Sequence, residues 1–153
     1  MNHPDVPDIG TGTGIFAGDF PDRGLAVTGI DMNPRMIGKA RVHAPGARFE
    51  TCDMESLPFA DDQFDLVFKV NVLHEAENIN RALFEAVRVS RKRIALLEWP
   101  FIREEQGPPL HHRVSSQAVL SIAGKLSVSS TKSIPLSYMK LYILEKNHNS
   151  DGH

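Results

Sequence analysis

Residues 6–14 read Val-Pro-Asp-Ile-Gly-Thr-Gly-Thr-Gly, and this stretch decides the fold predicted for the chain. Three glycines alternate with two threonines directly after a short apolar segment, and a short helix is predicted to follow at residues 15–20. Such a loop lets a ligand approach the backbone closely, because glycine has no Cβ and adopts positive φ without strain. The pattern is typical of a strand that ends in a ligand-binding turn.

An acidic residue at the end of the next apolar run completes this pattern. Asp31 follows the run at residues 25–30 and lies 17 positions beyond Gly14. A nucleotide-binding βαβ unit places its ribose-binding carboxylate roughly 20 residues after its glycine loop. The loop and Asp31 together therefore predict a nucleoside site at the carboxyl ends of the first two strands.

Strands and helices alternate along the first two thirds of the chain. Strands are predicted at residues 6–9, 25–30, 47–50, 64–70 and 93–98, and longer helices at 34–42 and 79–89, with Asn33 and Asn78 as N-caps. A helix at 114–126 precedes two strands at 130–137 and 139–146, which are predicted to form a hairpin. This order predicts an α/β fold with a doubly wound, mostly parallel sheet of about seven strands, one of them antiparallel near the C-terminus.

Composition narrows the class of protein. A chain of 153 residues predicts one domain, and 41% hydrophobic with 24% charged residues is typical of a globular protein. The formal charge of −2 gives no basic excess that would favour nucleic acid or an anionic membrane. The basic run at residues 88–93, Arg-Val-Ser-Arg-Lys-Arg, is interpreted as a short solvated turn.

The single cysteine and the absence of a long apolar run point to a cellular location. Cys52 has no partner for an intramolecular disulfide, which fits a reducing cytosol, and it is interpreted as a small buried hydrophobe. No apolar run approaches the roughly 20 residues of a membrane span. We therefore expect a cytoplasmic enzyme that acts on a small molecule.

Five segments in order resemble a known family. They are VPDIGTGTG, VTGIDMNP, ARFETCDMESLPFADDQFDLVF, NVLHE and ALLEW. They resemble the class I S-adenosylmethionine-dependent methyltransferases, and in particular the small single-domain group related to ubiquinone and menaquinone biosynthesis methyltransferases. The resemblance covers residues 6–100, and more loosely the strands to residue 146, and it implies the Rossmann-like methyltransferase fold. NAD(P) binding is disfavoured because its fingerprint needs glycine where this chain has Ile15.

The resemblance implies S-adenosylmethionine as cofactor and a contact for each portion of it. The methionine portion would be held by Asp8 and the loop residues Gly10, Thr11, Gly12 and Gly14. Asp31 would accept hydrogen bonds from the ribose hydroxyls, Met32 and Met54 would lie beside the adenine, Asp53 would take the adenine amino group, and Val70 would face the methionine end and the acceptor. Two alternatives stay open: the methionines as core filler and Asp53 as an ordinary exposed loop carboxylate.

Methyl transfer from a sulfonium is an in-line displacement, so positioning and exclusion of water carry most of the catalysis. A general base is needed only where the acceptor must lose a proton, and His74, just after the fourth strand, is the candidate. A contact without chemistry is the alternative for this histidine. Glu98 and Trp99 would line the acceptor pocket, with core packing as the open alternative for Trp99. Adjacent His111 and His112 do not suit one metal ion, so no metal site is predicted.

Three departures from the family pattern support a rival hypothesis. Almost nothing precedes Val6, so the N-terminal cap helix is expected to be missing, and residues 90–93 replace a common Pro-Gly-Gly turn. Pro7 also replaces an aliphatic residue in the first strand. The rival is a degenerate or truncated methyltransferase-fold protein that acts as a non-catalytic binding or scaffold partner. A homodimer would supply the missing cover in either case.

Overall fold

The computed structural model describes residues 5–11, 14, 17–18, 24–70, 76–98, 110, 113–136 and 139–147. Their elements, in chain order, are β1 (Asp5–Ile9), β2 (Ala26–Asp31), α1 (Pro34–His43), β3 (Arg48–Thr51), β4 (Phe64–Val70), α2 (Ile79–Val89), β5 (Ser90–Glu98), α3 (Ser116–Ala123), β6 (Val128–Pro135) and β7 (Lys140–Lys146). The helix predicted at residues 15–20 lies outside the described residues.

The strands form one seven-stranded sheet in the order β3-β2-β1-β4-β5-β7-β6. Pairing is parallel from β3 to β5, and β7 is antiparallel to both of its neighbours. The predicted doubly wound sheet with one antiparallel strand near the C-terminus is thus confirmed. The predicted hairpin is confirmed as well, since β6 and β7 are consecutive and paired.

Helix starts follow the local sequence closely. The side chain of Asn33 accepts a hydrogen bond from the Arg35 amide at 3.0 Å, and Pro34 fills the first helical position. Asn78 accepts from the Arg81 amide at 3.1 Å, so α2 has the predicted bounds. The predicted helix at 114–126 is shorter in the structure, because Ser115 caps it and the helix ends at Ala123.

The interpretation of residues 88–93 as a solvated turn is wrong. Helix α2 ends at Val89 and β5 begins at the next residue, so the chain reverses direction without a loop. Ser90 is fully buried, its hydroxyl donates to the Val87 carbonyl at 3.0 Å, and it pairs with Phe64. This tertiary pairing extends the strand through the basic residues, whose side chains are exposed.

Helices on both faces of the sheet create two apolar cores. The larger core lies on the face covered by α2 and α3 and includes Ile9, Ile30, Val67, Leu83, Leu96, Val119 and Leu144. The smaller core lies under α1 and includes Val27, Ile37, Ala40 and Phe49. Because β1, β2 and β3 are parallel, their carboxyl ends meet at one edge of the sheet, where ligands bind in sheets of this kind.

Candidate functional site

A cleft of about 200 Å³ opens at the carboxyl ends of β1, β2 and β3. Its lining residues are Ile9, Gly10, Ile30, Asp31, Met32, Asn33, Cys52 and Met54. Four positions singled out from the sequence, Gly10, Asp31, Met32 and Met54, are therefore brought together. Sites for drug-sized ligands begin at roughly 300 Å³, so the described cleft suits the nucleoside end of such a ligand better than the whole of it.

The glycine loop is fastened to the end of β2. The amides of Gly10 and Thr11 both donate to the Ile30 carbonyl, at 2.8 and 2.9 Å. Gly10 and Gly14 have φ of 77° and 82°, in the left-handed region that glycine adopts without strain. A Cβ at Gly14 would also lie 3.1 Å from the Ala40 Cβ of α1. The loop is thus held close to the cleft by its backbone; Gly12 lies outside the described residues.

Asp8 lies beneath this loop, with only 1% of its surface exposed. One carboxylate oxygen accepts from the Thr11 hydroxyl at 2.9 Å, and the other has no hydrogen-bond partner among the described residues. Burial raises the pKa of Asp8 to about 6, against the lowering effect of the Thr11 hydrogen bond, and the charge of Asp31 raises it further. Asp8 is placed to position the loop through Thr11.

Asp31 faces the cleft from the end of β2 and is half-buried. Its Oδ1 accepts from the Asn33 amide at 2.9 Å, and its carbonyl accepts from the Cys52 amide at 3.1 Å. These bonds fix the side chain and tie β2 to the segment after β3. An ionised carboxylate has about four acceptor positions, and this is the chemistry that binds the hydroxyl donors of a ribose.

The two methionines and Asp53 occupy different positions around the cleft. Met32 is 64% exposed at the rim, whereas Met54 is half-buried and packs against the larger core. Asp53 is exposed, and its Oδ1 accepts from the Glu55 amide at 2.9 Å, which stabilises a turn. Asp53 is not among the described cleft-lining residues. Val70 is the last residue of β4.

Sequence reasoning missed a buried cation next to the cleft. Lys69 is fully buried, and its Nζ has no hydrogen-bond partner in the described part of the chain. Glu98, at the end of β5, is also buried, and its charge acts on Lys69. The available signal was a lysine within the otherwise apolar end of the run Phe-Asp-Leu-Val-Phe-Lys-Val. His74, Trp99, His111 and His112 lie outside the described residues.

No group of three or more His, Cys, Asp and Glu side chains in the described part of the chain is arranged to hold a metal ion. Among the helices of the same residues, none is both long and apolar enough to cross a membrane.

Comparison with known proteins places this geometry in a family. Residues 7–96 match a family model described as a methyltransferase domain. The chain is 34% identical over 128 residues to the demethylmenaquinone methyltransferase of Tropheryma whipplei, an overlap of 80% of this chain and 52% of that protein. It is 33% identical over 92 residues to the malonyl-[acyl-carrier protein] O-methyltransferase of Serratia marcescens, covering 59% and 36%. The chain thus spans about half the length, or less, of these curated relatives.

Solved structures show the same fold at low identity. An S-adenosylmethionine-dependent methyltransferase from Aquifex aeolicus aligns with a TM-score of 0.82 at 19% identity, covering 94% of this chain and 82% of the other. A magnesium protoporphyrin IX methyltransferase from Synechocystis, with bound S-adenosylhomocysteine, aligns with a TM-score of 0.78 at 17% identity, covering 95% and 75%.

Proposed function

The chain belongs to the class I S-adenosylmethionine-dependent methyltransferases, and on that premise we propose that it transfers the methyl group of this cofactor to a small-molecule acceptor. The observation that carries the proposal is the cleft at the carboxyl ends of β1 to β3. It brings the glycine loop, Asp31 and two methionines together. Those residues lie in three separate segments of the sequence, and the resemblance to the family implies a cofactor contact for each of them.

The residues of the cleft fit the chemistry of this cofactor. Asp31 is held by the Asn33 amide, and a carboxylate is an acceptor group of the kind that two ribose hydroxyls require. Met32 and Met54 present polarisable apolar surface for the adenine ring. The backbone of Gly10 borders the same space. When bound, the cofactor supplies a methyl group that its positively charged sulfur already activates.

The remaining predicted contacts have indirect support. Asp8 would act through Thr11, since it lies under the loop and accepts from that hydroxyl. Asp53 would have to release the turn that it caps, or contact the adenine through its second oxygen. Val70 ends the strand that borders β1, on the side away from Asp31. His74 stays a prediction for acceptors that must lose a proton.

The acceptor is proposed only by class. The two curated relatives are a demethylmenaquinone and a malonyl-[acyl-carrier protein] methyltransferase, so their names indicate different acceptors. A small-molecule acceptor is the common expectation of this group and of a chain without a basic excess. The cytoplasmic location and the homodimer likewise remain predictions from sequence.

Calorimetric titration with S-adenosylmethionine and S-adenosylhomocysteine tests the proposal. We expect low-micromolar binding to the wild type and a loss of about a hundredfold in Asp31→Ala, because two hydrogen bonds to a charged group would be removed. Asp65→Ala is the matched control, since Asp65 pairs with Arg91 at the opposite end of the strands. A folded wild type that binds neither ligand would favour the scaffold hypothesis. A methyl-transfer screen over small-molecule acceptors with radiolabelled cofactor then identifies the acceptor.

A further inference from the structure

Lys69 lies on β4, beside the strand β1 whose end borders the cleft. In the sheet it is the partner of Ile9, one of the cleft-lining residues, and adjacent strands are roughly 5 Å apart. Both side chains point to the face covered by α2. Ile9 and Val67 belong to the core on that face, and Lys69 lies two residues beyond Val67 on the same strand, so its side chain points the same way. The backbone of Lys69 is therefore one strand spacing from a residue that lines the cleft assigned to the cofactor.

The Lys69 amine forms no hydrogen bond with any described residue. Glu98 of β5 and Glu55, which follows the cleft residue Met54, are the carboxylates whose charges act on it. Burial lowers the pKa of Lys69 to about 8, against the raising effect of these two carboxylates. Other charged or titratable groups of the elements packed on this face are Cys52 of the cleft, Arg81 of α2, Arg113 before α3, and Lys140 and Tyr142 of β7.

The polar groups on the far side of Glu98 are already engaged with one another. The Lys140 ammonium donates to the Ser116 hydroxyl at 2.7 Å, and this hydroxyl is 2.7 Å from the Tyr142 hydroxyl. Burial raises the pKa of Tyr142, the Ser116 hydrogen bond lowers it, and the charge of Glu98 raises it. Lys69 therefore differs from Lys140, because among the described residues no acceptor stands against its buried amine.

We propose that Lys69 makes the cleft sensitive to the charge on the cofactor sulfur, so that its neutral amine favours S-adenosylmethionine and its ammonium favours S-adenosylhomocysteine. This inference rests on the proposed function. The two ligands differ by one methyl group and one positive charge, and the sulfur that carries the charge is bonded to the ribose 5′ carbon. With the ribose held at Asp31, the sulfur would lie at the edge of the same cleft. A like charge nearby disfavours protonation of Lys69.

The sign of the effect follows from linkage. The sulfonium lowers the pKa of Lys69 relative to its value with the neutral thioether, so binding of S-adenosylmethionine releases a proton near pH 8. Raising the pH through this range therefore strengthens binding of S-adenosylmethionine relative to S-adenosylhomocysteine.

Titrations with both ligands at pH 6.5, 8.0 and 9.5 test the proposal in the wild type and in Lys69→Met. We expect the ratio of dissociation constants, S-adenosylmethionine over S-adenosylhomocysteine, to fall about tenfold across this range in the wild type, which corresponds to a difference of about one unit in the pKa of Lys69. The amino groups of the two ligands titrate in the same range. Their contribution to the pH dependence is the same in the wild type and in Lys69→Met. The variant is therefore expected to lack the tenfold component. Lys92→Met, an exposed lysine of β5, is the matched control and keeps it.

A direct measurement keeps the proposal falsifiable if Lys69→Met fails to fold. Carbon-13 labelled lysine gives the pKa of Lys69 by NMR in the two wild-type complexes, and we expect about one unit less with S-adenosylmethionine. Equal pKa values in the two complexes, or the same pH dependence in Lys69→Met as in the wild type, would overturn the inference and leave the proposed function intact. Failure of both ligands to bind the wild type would instead refute the proposed function.

Discussion

Buried charged groups differ in their hydrogen bonding between the two ends of the parallel strands. At the amino ends of β4 and β5, the Arg88 guanidinium binds both Glu85 oxygens, at 2.8 and 2.9 Å. It also binds the carbonyls of Leu57 and Phe59, at 3.1 and 2.8 Å, and the Asp61 carboxylate at 2.8 Å. At the carboxyl ends, one oxygen of Asp8 and the Lys69 amine are buried without a hydrogen bond to any residue that the structure describes.

The difference separates charges that build the fold from charges that serve a site. The Arg88 network joins α2 to the segment before β4, and hydrogen bonding by Arg88 is the main cause that holds the pKa of Glu85 below its usual range. Burial is the main cause of the pKa shifts of Asp8 and Lys69, and it favours the neutral form of both groups. Groups that a fold leaves in this state tend to cluster at functional sites.

The largest expected effect on stability comes from removing Arg88, the cation that pairs with Glu85 at the amino ends of the strands. Arg88→Ala should lower the free energy of unfolding by about 3–5 kcal/mol, because it leaves the Glu85 carboxylate buried without its cation. Equilibrium unfolding in urea, followed by circular dichroism, measures the loss. Asp61→Ala is the matched control in the same network and should cost less than about 1 kcal/mol, since the Asp61 side chain is 75% exposed. Equal losses would show that burial does not set the strength of this network.

Removing the Asp8 charge at the carboxyl ends of the strands should raise the free energy of unfolding instead of lowering it. Because burial raises the pKa of Asp8 to about 6 from 3.8, the folded state binds more protons than the unfolded state between these values. Stability therefore falls as the pH rises from about 4 to 6, and Asp8→Asn should gain up to about 3 kcal/mol above pH 6 and little below pH 4. Urea unfolding of both proteins across this range measures the difference.

Asp65→Asn is the control for that prediction. The Arg91 hydrogen bond lowers the pKa of Asp65, so this variant should show a small loss of stability at neutral pH instead of a gain. A gain in Asp8→Asn that does not change with pH would contradict the argument. The same variant is expected to weaken binding of S-adenosylmethionine if Asp8 positions the loop as proposed.

Local signals in the sequence were sufficient for most of the fold. Asn33, Pro34 and Asn78 predicted helix starts correctly, because a cap is a contact between residues two or three apart. The turn predicted at residues 88–93 failed because Ser90 pairs with Phe64 on another strand. The apolar run around Lys69 was the local signal of its burial, but the carboxylates that act on it could not be predicted, since they come from a separate strand and from the loop after β3.

In the candidate site, too, some positions could be predicted from local sequence and others could not. Asp31 and the glycine loop were predictable, since their spacing reflects one βαβ unit. The positions of Asp8 and Asp53 relative to the cleft were not, because each depends on a hydrogen bond that places the carboxylate elsewhere: to Thr11 under the loop, and to the Glu55 amide in a turn. A carboxylate at a motif position can thus support the site without lining it.

The smallest expected effect tests whether exposure or distance decides the worth of an ion pair. Arg91 and Asp65 are 2.6 Å apart, closer than Arg88 is to either of its carboxylate partners, but their side chains are 56% and 43% exposed. Arg91→Ala should therefore cost less than about 1 kcal/mol, because water screens the pair and both side chains lose freedom in forming it. Urea unfolding at low salt and at about 1 M NaCl measures this cost, which should shrink at high salt. A cost of about 2 kcal/mol or more at both salt concentrations would contradict this argument, because the strength of the pair would then not be limited by its exposure to water.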